Sequence, residues 1–477
     1  MSEQQDAVVN AEAMGAPSSE YEREKVPESA LLGFKSFVGM YAGEHCAGTE
    51  LMIGPLFVAA GVSAFDVIVG LLLGNFLAVM SWLFLTAPIA TRLRLTLYYQ
   101  LEKICGRKLV VLYNLANGVM FCFLAGAMVT VSATALGIWF SFPMPALNDL
   151  LPNSVGWCVA SLLTGTIIAY VAAAGYKTVS RIGNLAAPWM VLVFIAFGVI
   201  AFRDILDASA IEVNSLSSLW HFAETELWRG GEPLPGQVKF QLWHVVFFAW
   251  FCNIAMNVGM ADLTVLRYAR KSWYAIASGA GVYLGHFLAW LSASLLFSLQ
   301  LRLDPSNTAV LPGPLAYKAC GIAGLLCVII AGWTTANPTI YRAGLAFQAV
   351  IPRVSRFKVT FATGMVAAVA GMFPAFAMKL LDFVALYGMV LMPMGAVIFA
   401  DYYLLPRMGL QAFYAEARGI AFNPAAGAAW IVTMLLCWCL VVFGGVQIYF
   451  VSLPGWFIAL ALYLIISKLY QKAEVRA

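Results

Sequence analysis

Charge is what this sequence has least of. Of its 477 residues only 11% are Asp, Glu, Lys or Arg, while 62% are hydrophobic; soluble domains run at about 25% charged and about 45–50% apolar. That leaves too little polar surface for a water-soluble globule of this length. Histidine is scarce, with four in the chain, and the nine cysteines fall in apolar runs with no CxxC pair and no zinc-like spacing. They read as small buried hydrophobes and imply no disulfide framework. There is no HExxH, GxSxG or paired-aspartate motif at membrane depth, which removes the usual signatures of an intramembrane enzyme. The polar opening stretch "MSEQQDAVVNAEAMGAPSSEYEREKVPES" lacks the charged-then-apolar pattern of a signal peptide. It is expected to be a cytoplasmic tail, disordered until about Pro27.

What the chain has instead is long apolar runs, such as "VIVGLLLGNFLAVMSWLFLTAPIA" and "WMVLVFIAFGVIAF". Stretches of about 18 or more nearly uncharged residues define an all-α polytopic membrane protein, since a barrel would show short alternating segments. Twelve spans are expected, centred near residues 45, 78, 124, 164, 191, 250, 286, 330, 366, 391, 436 and 461. With an N-terminus in the cytoplasm, all but six of the 28 lysines and arginines fall on the inner side. The six are Arg203, Arg229, Lys239, Arg302, Lys318 and Lys379; Arg342 counts with the inner loops. This bias places both termini in the cytoplasm.

The expected organisation is a tail (1–28), a first five-helix unit (29–202), a polar extracytoplasmic loop (203–238), a second five-helix unit (239–405), two further helices (406–470) and a short tail (471–477). A basic connector at 92–107 forms a candidate interfacial helix. An odd number of spans per unit inverts the second relative to the first, the pattern of inverted-repeat transporters whose sites lie where helices are broken. The first span contains "GMYAGEHCAG" and the sixth "FCNIAMNVGMAD", the two most polar interruptions among the long spans. Irregular backbone at that depth is tolerated where it is buried in protein or lines an aqueous cavity.

Several segments carry a family resemblance. "AGWTTANPTIYRAGLAFQAV" (331–350) and "MPMGAVIFADYYLLPR" (392–407) resemble the eighth and tenth helices of the nucleobase–cation symporter-1 family, in its cytosine permease branch. "GLLLGNFLAV" (70–79) is similar to that family's second helix, and "LRYARKSW" (266–273) to its turn after helix six. The resemblance runs loosely over about residues 30–410. It implies a twelve-helix secondary transporter with a five-plus-five inverted repeat, discontinuous helices one and six, and uptake of a planar nitrogen heterocycle coupled to Na⁺ or H⁺. No other cofactor and no nucleic-acid partner is implied; the partners are the substrate, the coupling cation and the bilayer of the cytoplasmic membrane.

Carried onto this sequence, the family's sodium site falls on the backbone carbonyls of Glu44, Gly48 and Ala331 and the hydroxyls of Thr334 and Thr335. Dipolar oxygens of this kind suit a hard monovalent ion. The substrate site falls on Asn117 and Phe121 of helix three, Trp250, Asn253 and Asn257 of helix six, and Asn337 of helix eight. Amides read donor and acceptor edges of a ring, and aromatics supply a stacking plane. The tryptophan of the family's helix three is absent here, and the helix-eight asparagine is replaced by Ala336 with Asn337 beside it.

Glu44 stands where the family has glycine, and three roles remain open for it. Its carboxylate accepts paired N–H groups from a substrate, carries a coupling proton together with His45, or is satisfied within the helix break. A proton-coupled carrier of a vitamin precursor, hydantoin, allantoin or nucleoside is the alternative to sodium coupling. A channel or membrane sensor is more remote. A metal held by Glu44, His45 and Cys46 is disfavoured, because neighbouring helical residues point about 100° apart.

Overall fold

In a bilayer every backbone polar group must find its partner within the protein, which restricts spanning segments of this composition to helices. The computed structural model describes residues 20–476, and they are helical with no β-strand beyond two isolated bridges. Most of the N-terminal tail, residues 1–19, lies outside the described part.

The chain runs through α1 (Lys35–His45), α2 (Glu50–Ala59), α3 (Ala64–Leu93), α4 (Leu97–Cys105), α5 (Arg107–Phe140), α6 (Val155–Ala173) and α7 (Tyr176–Asp207). It continues with α8 (Leu242–Phe251), α9 (Ser272–Leu303), α10 (Pro312–Val350), α11 (Arg356–Ala370), α12 (Phe383–Leu404), α13 (Pro424–Val442) and α14 (Ser452–Gln471). Among the described residues nine of these helices are long and apolar enough to cross a membrane, and α2 and α8 are shorter apolar helices. The protein is a multi-pass membrane protein. Large apolar side chains cover its flanks, with Leu185 83% and Val199 60% exposed on α7.

Local chemistry sets the helix ends. Ser63, Thr96 and Ser154 each accept a backbone N–H at the start of α3, α4 and α6, and Asn423 does so ahead of Pro424 in α13. Such caps satisfy donors that have no partner within the helix. The basic connector does fold as a helix, α4. Within α10, Cys320 and Gly321 leave the helical region, and Gly321 takes φ +55° and ψ −134°, a conformation that suits a residue without a Cβ.

Two spans are broken where the sequence places glycine and polar residues. Between α1 and α2 the chain unwinds over residues 46–49. After α8 it turns irregularly until a single helical turn, Leu263–Leu266, with wide turns closing Ala255 O to Ala261 N at 3.0 Å and Met256 O to Asp262 N at 3.1 Å. α10 packs along α5, α11 on α6, α8 on α3, and α1 and α2 on α7 and α9, while α12, α13 and α14 form a flanking group. Asp401 of the "ADYYLLPR" segment ties that group together: Tyr463 donates to it at 2.9 Å and the Phe413 amide at 3.0 Å.

Two sequence expectations change. Residues 20–27 are not a disordered tail. Glu20 is 8% exposed and bonded to α7, α10 and the segment after Leu266, and Val26 donates to Arg94 O at 3.0 Å. The polar loop begins later than residue 203, because α7 continues to Asp207, and it contains the helix Leu216–Phe222.

Candidate functional site

At the end of α1, just before the break, successive side chains point to different sides. Glu44 faces α10, and His45 faces the broken sixth span and α9.

On the Glu44 side, Arg342 of α10 makes a bidentate pair with it, Nη1 to Oε1 at 2.5 Å and Nη2 to Oε2 at 3.1 Å. The same Nη2 reaches Asp262 Oδ1 at 2.6 Å. The second Asp262 oxygen accepts from Tyr41 OH at 2.9 Å and Trp82 Nε1 at 2.7 Å. Arg342 and Asp262 are fully buried and Glu44 is 6% exposed. Arg342 therefore does not belong to an inner loop, as the sequence count has it. It ties α1, α10 and the broken sixth span into one charged cluster. Both Glu44 carboxylate oxygens are taken by the Arg342 guanidinium of α10, so its charge is met across helices and not by the amides of the helix break.

Beside this cluster lies a set of uncharged oxygens. Thr335 Oγ1 donates to Glu44 O at 2.8 Å and lies 3.0 Å from Ala331 O. Thr334 Oγ1 lies 3.2 Å from Ala331 O. Gly48 sits against α10 so closely that a Cβ would meet Val328 O at 3.2 Å and collide with Val131. Thr335 thus links the end of α1 to α10 through uncharged oxygens, while Thr334 Oγ1 bonds back to its own helix at Ile330 O, 3.1 Å, and lies 3.6 Å from Met190 Sδ.

On the His45 side, His45 Nδ1 donates to Tyr41 O at 2.8 Å, and Nε2 lies 3.0 Å from Asn253 Oδ1. Asn253 Nδ2 lies 3.3 Å from His286 Nδ1, and His286 Nε2 lies 3.7 Å from Glu50 Oε1. The His286 ring stacks on Trp290, whose indole N–H donates to Glu50. Among the described residues no three or more His, Cys, Asp or Glu side chains form a metal-holding group.

The residues expected to bind substrate divide. Asn117 Nδ2 donates to Tyr98 OH at 3.4 Å, and Tyr98 OH donates to Arg342 O at 2.9 Å, so Asn117 adjoins the charged cluster. Phe121 meets Tyr387 edge-on at 4.9 Å, and Tyr387 donates to Met256 Sδ at 3.5 Å at the sixth-span break. Asn253 bridges the two histidines. Asn257 turns its Oδ1 onto the Val258 amide at 2.6 Å. Trp250 faces elsewhere: its N–H donates to Ser81 at 2.9 Å, and its ring packs with Phe247 and Phe251. The oxygens of Asn117 and Asn337 and the Nε of Arg342 are buried with no protein partner among the described residues. Such groups are costly unless a ligand or water meets them.

The sequence reading missed Arg342, Tyr41, Trp82 and His286. For Arg342 a signal was present. Residues 335, 339 and 342 follow helical spacing, which puts the arginine on the same face as Thr335.

Access differs at the two ends. α7 starts at the face where Glu20 docks, so the polar loop after Asp207 lies at the opposite face. There a cavity of 370 Å³ opens between Leu56 of α2, Phe248 and Cys252 of the sixth span, and Val384 and Ala385 of α12. At the N-terminal face Glu20 closes the structure: Tyr268 OH donates to its carboxylate at 2.6 Å and Tyr341 OH at 3.1 Å, while Arg267 donates to Glu20 O at 2.6 Å.

The fold, with two broken helices meeting a long helix at a buried polar site, is similar to that of solved nucleobase-cation-symport-1 structures. Mhp1, a transporter of that family, in a closed conformation with bromovinylhydantoin bound, superposes with a TM-score of 0.69 at 17% identity, over 95% of this chain and 96% of that one. A substrate-bound, outward-open Na⁺-coupled sialic acid symporter gives 0.62 at 16%, over 95% and 92%. The inward-facing form of Mhp1 gives 0.61 at 16%, over 94% and 95%. No family model and no curated protein matches the sequence.

Proposed function

We propose that this chain is a secondary active symporter that takes up a planar nitrogen heterocycle, of nucleobase or related type, with Na⁺ as the coupling cation. The observation that carries the reading is the Thr335 hydroxyl 2.8 Å from Glu44 O, with Ala331 O and Thr334 Oγ1 beside it. These are the oxygens the family resemblance assigns to sodium. Charge supports it as well. The buried cluster holds Glu44, Asp262 and Arg342, one negative charge in excess, and burying an uncompensated charge is expensive. A monovalent cation at the neighbouring oxygens balances it. A coupling proton on Glu44 fits less well, because Arg342 already pairs both of its oxygens.

In this reading the substrate meets Asn117, Phe121, Asn337 and the sixth-span break, where the buried oxygens of Asn117 and Asn337 have no protein partner among the described residues. The two broken spans and the 15-residue α11 bring the nine long helices to twelve. The positive-charge bias puts the N-terminal face in the cytoplasm of the cell membrane, so the open cavity faces outward.

The test is uptake of radiolabelled purines, pyrimidines and hydantoins into proteoliposomes, with Na⁺ replaced by choline, for the native chain and for Thr335→Ala. Both changes are expected to lower uptake by about tenfold or more. Uptake that persists in choline and follows a pH gradient alone would sink the sodium assignment. Passive, non-saturating flux would instead mark a channel.

A further inference from the structure

A second cavity lies away from the transport path, on the flank of the molecule between α5 and α11. It has a volume of 600 Å³, and its walls include Leu115, Val119 and Phe123 of α5 and Ala362 and Val366 of α11, with Phe347 of α10 also lining it. Leu115 is 41%, Val119 45% and Val366 59% exposed, so the groove opens sideways toward lipid. At one end its lining residue Phe123 stacks on Phe383 at 5.2 Å and meets Phe376 at 4.9 Å. Its other end is at the N-terminal face, where Lys358 lines it.

Length and charge identify what fits. Leu115 to Phe123 spans about 12 Å and Lys358 to Ala370 about 18 Å at ~1.5 Å per residue. One leaflet of a ~30 Å hydrocarbon core is about 15 Å deep. At the mouth stand three exposed cations. Lys358 opens α11, Arg353 lies in the turn between the lining residues Ile351 and Val354, and Lys108 continues the face of α5 that runs through Leu112, Leu115 and Val119. None of the three makes an ion pair among the described residues, whereas Lys103 and Arg107 nearby are paired with Glu416 and Glu102. No acidic side chain lines the groove.

We propose that this groove binds one anionic phospholipid of the leaflet at the N-terminal face. An acyl chain lies between α5 and α11, and the phosphate rests on Lys108, Arg353 and Lys358. Basic pockets between membrane helices hold anionic headgroups in this way, each cation near the surface strengthening binding roughly fivefold. The lipid's chain reaches Phe347, whose ring fills the notch at Gly118, where a Cβ would meet it at 2.6 Å. The lipid therefore braces α10, the helix that carries Thr334, Thr335 and Arg342, against α5.

Native mass spectrometry of the detergent-purified full chain tests this, titrating dioleoyl phosphatidylglycerol and dioleoyl phosphatidylcholine. One phosphatidylglycerol is expected to bind at least tenfold more tightly than phosphatidylcholine. Neutralising the mouth with Lys108→Gln, Arg353→Gln and Lys358→Gln is expected to weaken it on the order of a hundredfold, three factors of about five. Filling the groove with Val119→Trp and Ala362→Trp, which leaves the cations in place, is expected to remove the bound lipid. Glycerol 3-phosphate alone is expected not to displace it, since the chain contributes. Equal retention of the two lipids, or unchanged phosphatidylglycerol binding in either variant, overturns the proposal and leaves surface lipid only. Displacement by glycerol 3-phosphate overturns it in favour of a free-anion site. The two variants act on different halves of the site, so failure of one to fold leaves the other decisive.

Discussion

Glu44 and Arg342 set the character of the site at the scale of single residues. Removing one partner from a buried ion cluster costs about 3–5 kcal/mol, because the remaining charges stay buried and unpaired. Arg342→Met is therefore expected to lower the apparent Tm in detergent sharply or to abolish folded yield, whereas Thr335→Ala leaves the Tm close to native. Adding Glu44→Gln and Asp262→Asn to Arg342→Met is expected to recover much of the loss, since residues in one network are not additive. A Tm that drops equally in the triple variant would show that packing, not charge, is what Arg342 supplies. Glu44 was legible in the sequence as a carboxylate at membrane depth. Its partner was legible only in part: the 335, 339, 342 spacing puts Arg342 on the face of Thr335, but no local signal says which helix that face meets.

At the scale of elements, the broken spans depend on close backbone approach as much as on polar residues. A Cβ at Gly285 would lie 2.4 Å from His45 O, which fixes how closely α9 approaches the α1 break. Gly285→Val is expected to push the break away from α9 and to cut uptake more than stability, with overpacking of this kind typically costing about 1–3 kcal/mol. Uptake and size-exclusion profiles measured together check this, and a variant that transports normally would refute the tight seam. Glycines and polar residues in "GMYAGEHCAG" and "FCNIAMNVGMAD" made both breaks readable from sequence. The direction each side chain takes at a break was not readable, because unwound backbone has no periodicity. Asn253 and Asn257 show this: the first bridges the two histidines, while the second turns its Oδ1 onto the Val258 amide.

For the whole molecule, the consequential feature is that one face is sealed by the chain's own N-terminal segment. Glu20 collects Tyr268, Tyr341 and the Tyr176 amide around one carboxylate. Glu20→Ala is expected to loosen that face, so that a cysteine placed at Ala269, 1% exposed in this structure, reacts severalfold faster with a water-soluble maleimide. Unchanged labelling would show that the helices close without the latch. The sequence by itself determined the membrane class, the long apolar helices and the places of the two breaks, because hydrophobic run length, glycine and polar interruptions are local signals. Only the tertiary structure decided which charges meet. Arg342, Glu44 and Asp262 lie up to 298 residues apart, and the docking of residues 20–27 depends on Arg94, Tyr176, Arg267, Tyr268 and Tyr341, from α7, α10, the end of α3 and the segment after Leu266. Contacts of that range leave no period or spacing in a single chain, and folding alone brings them within hydrogen-bond reach.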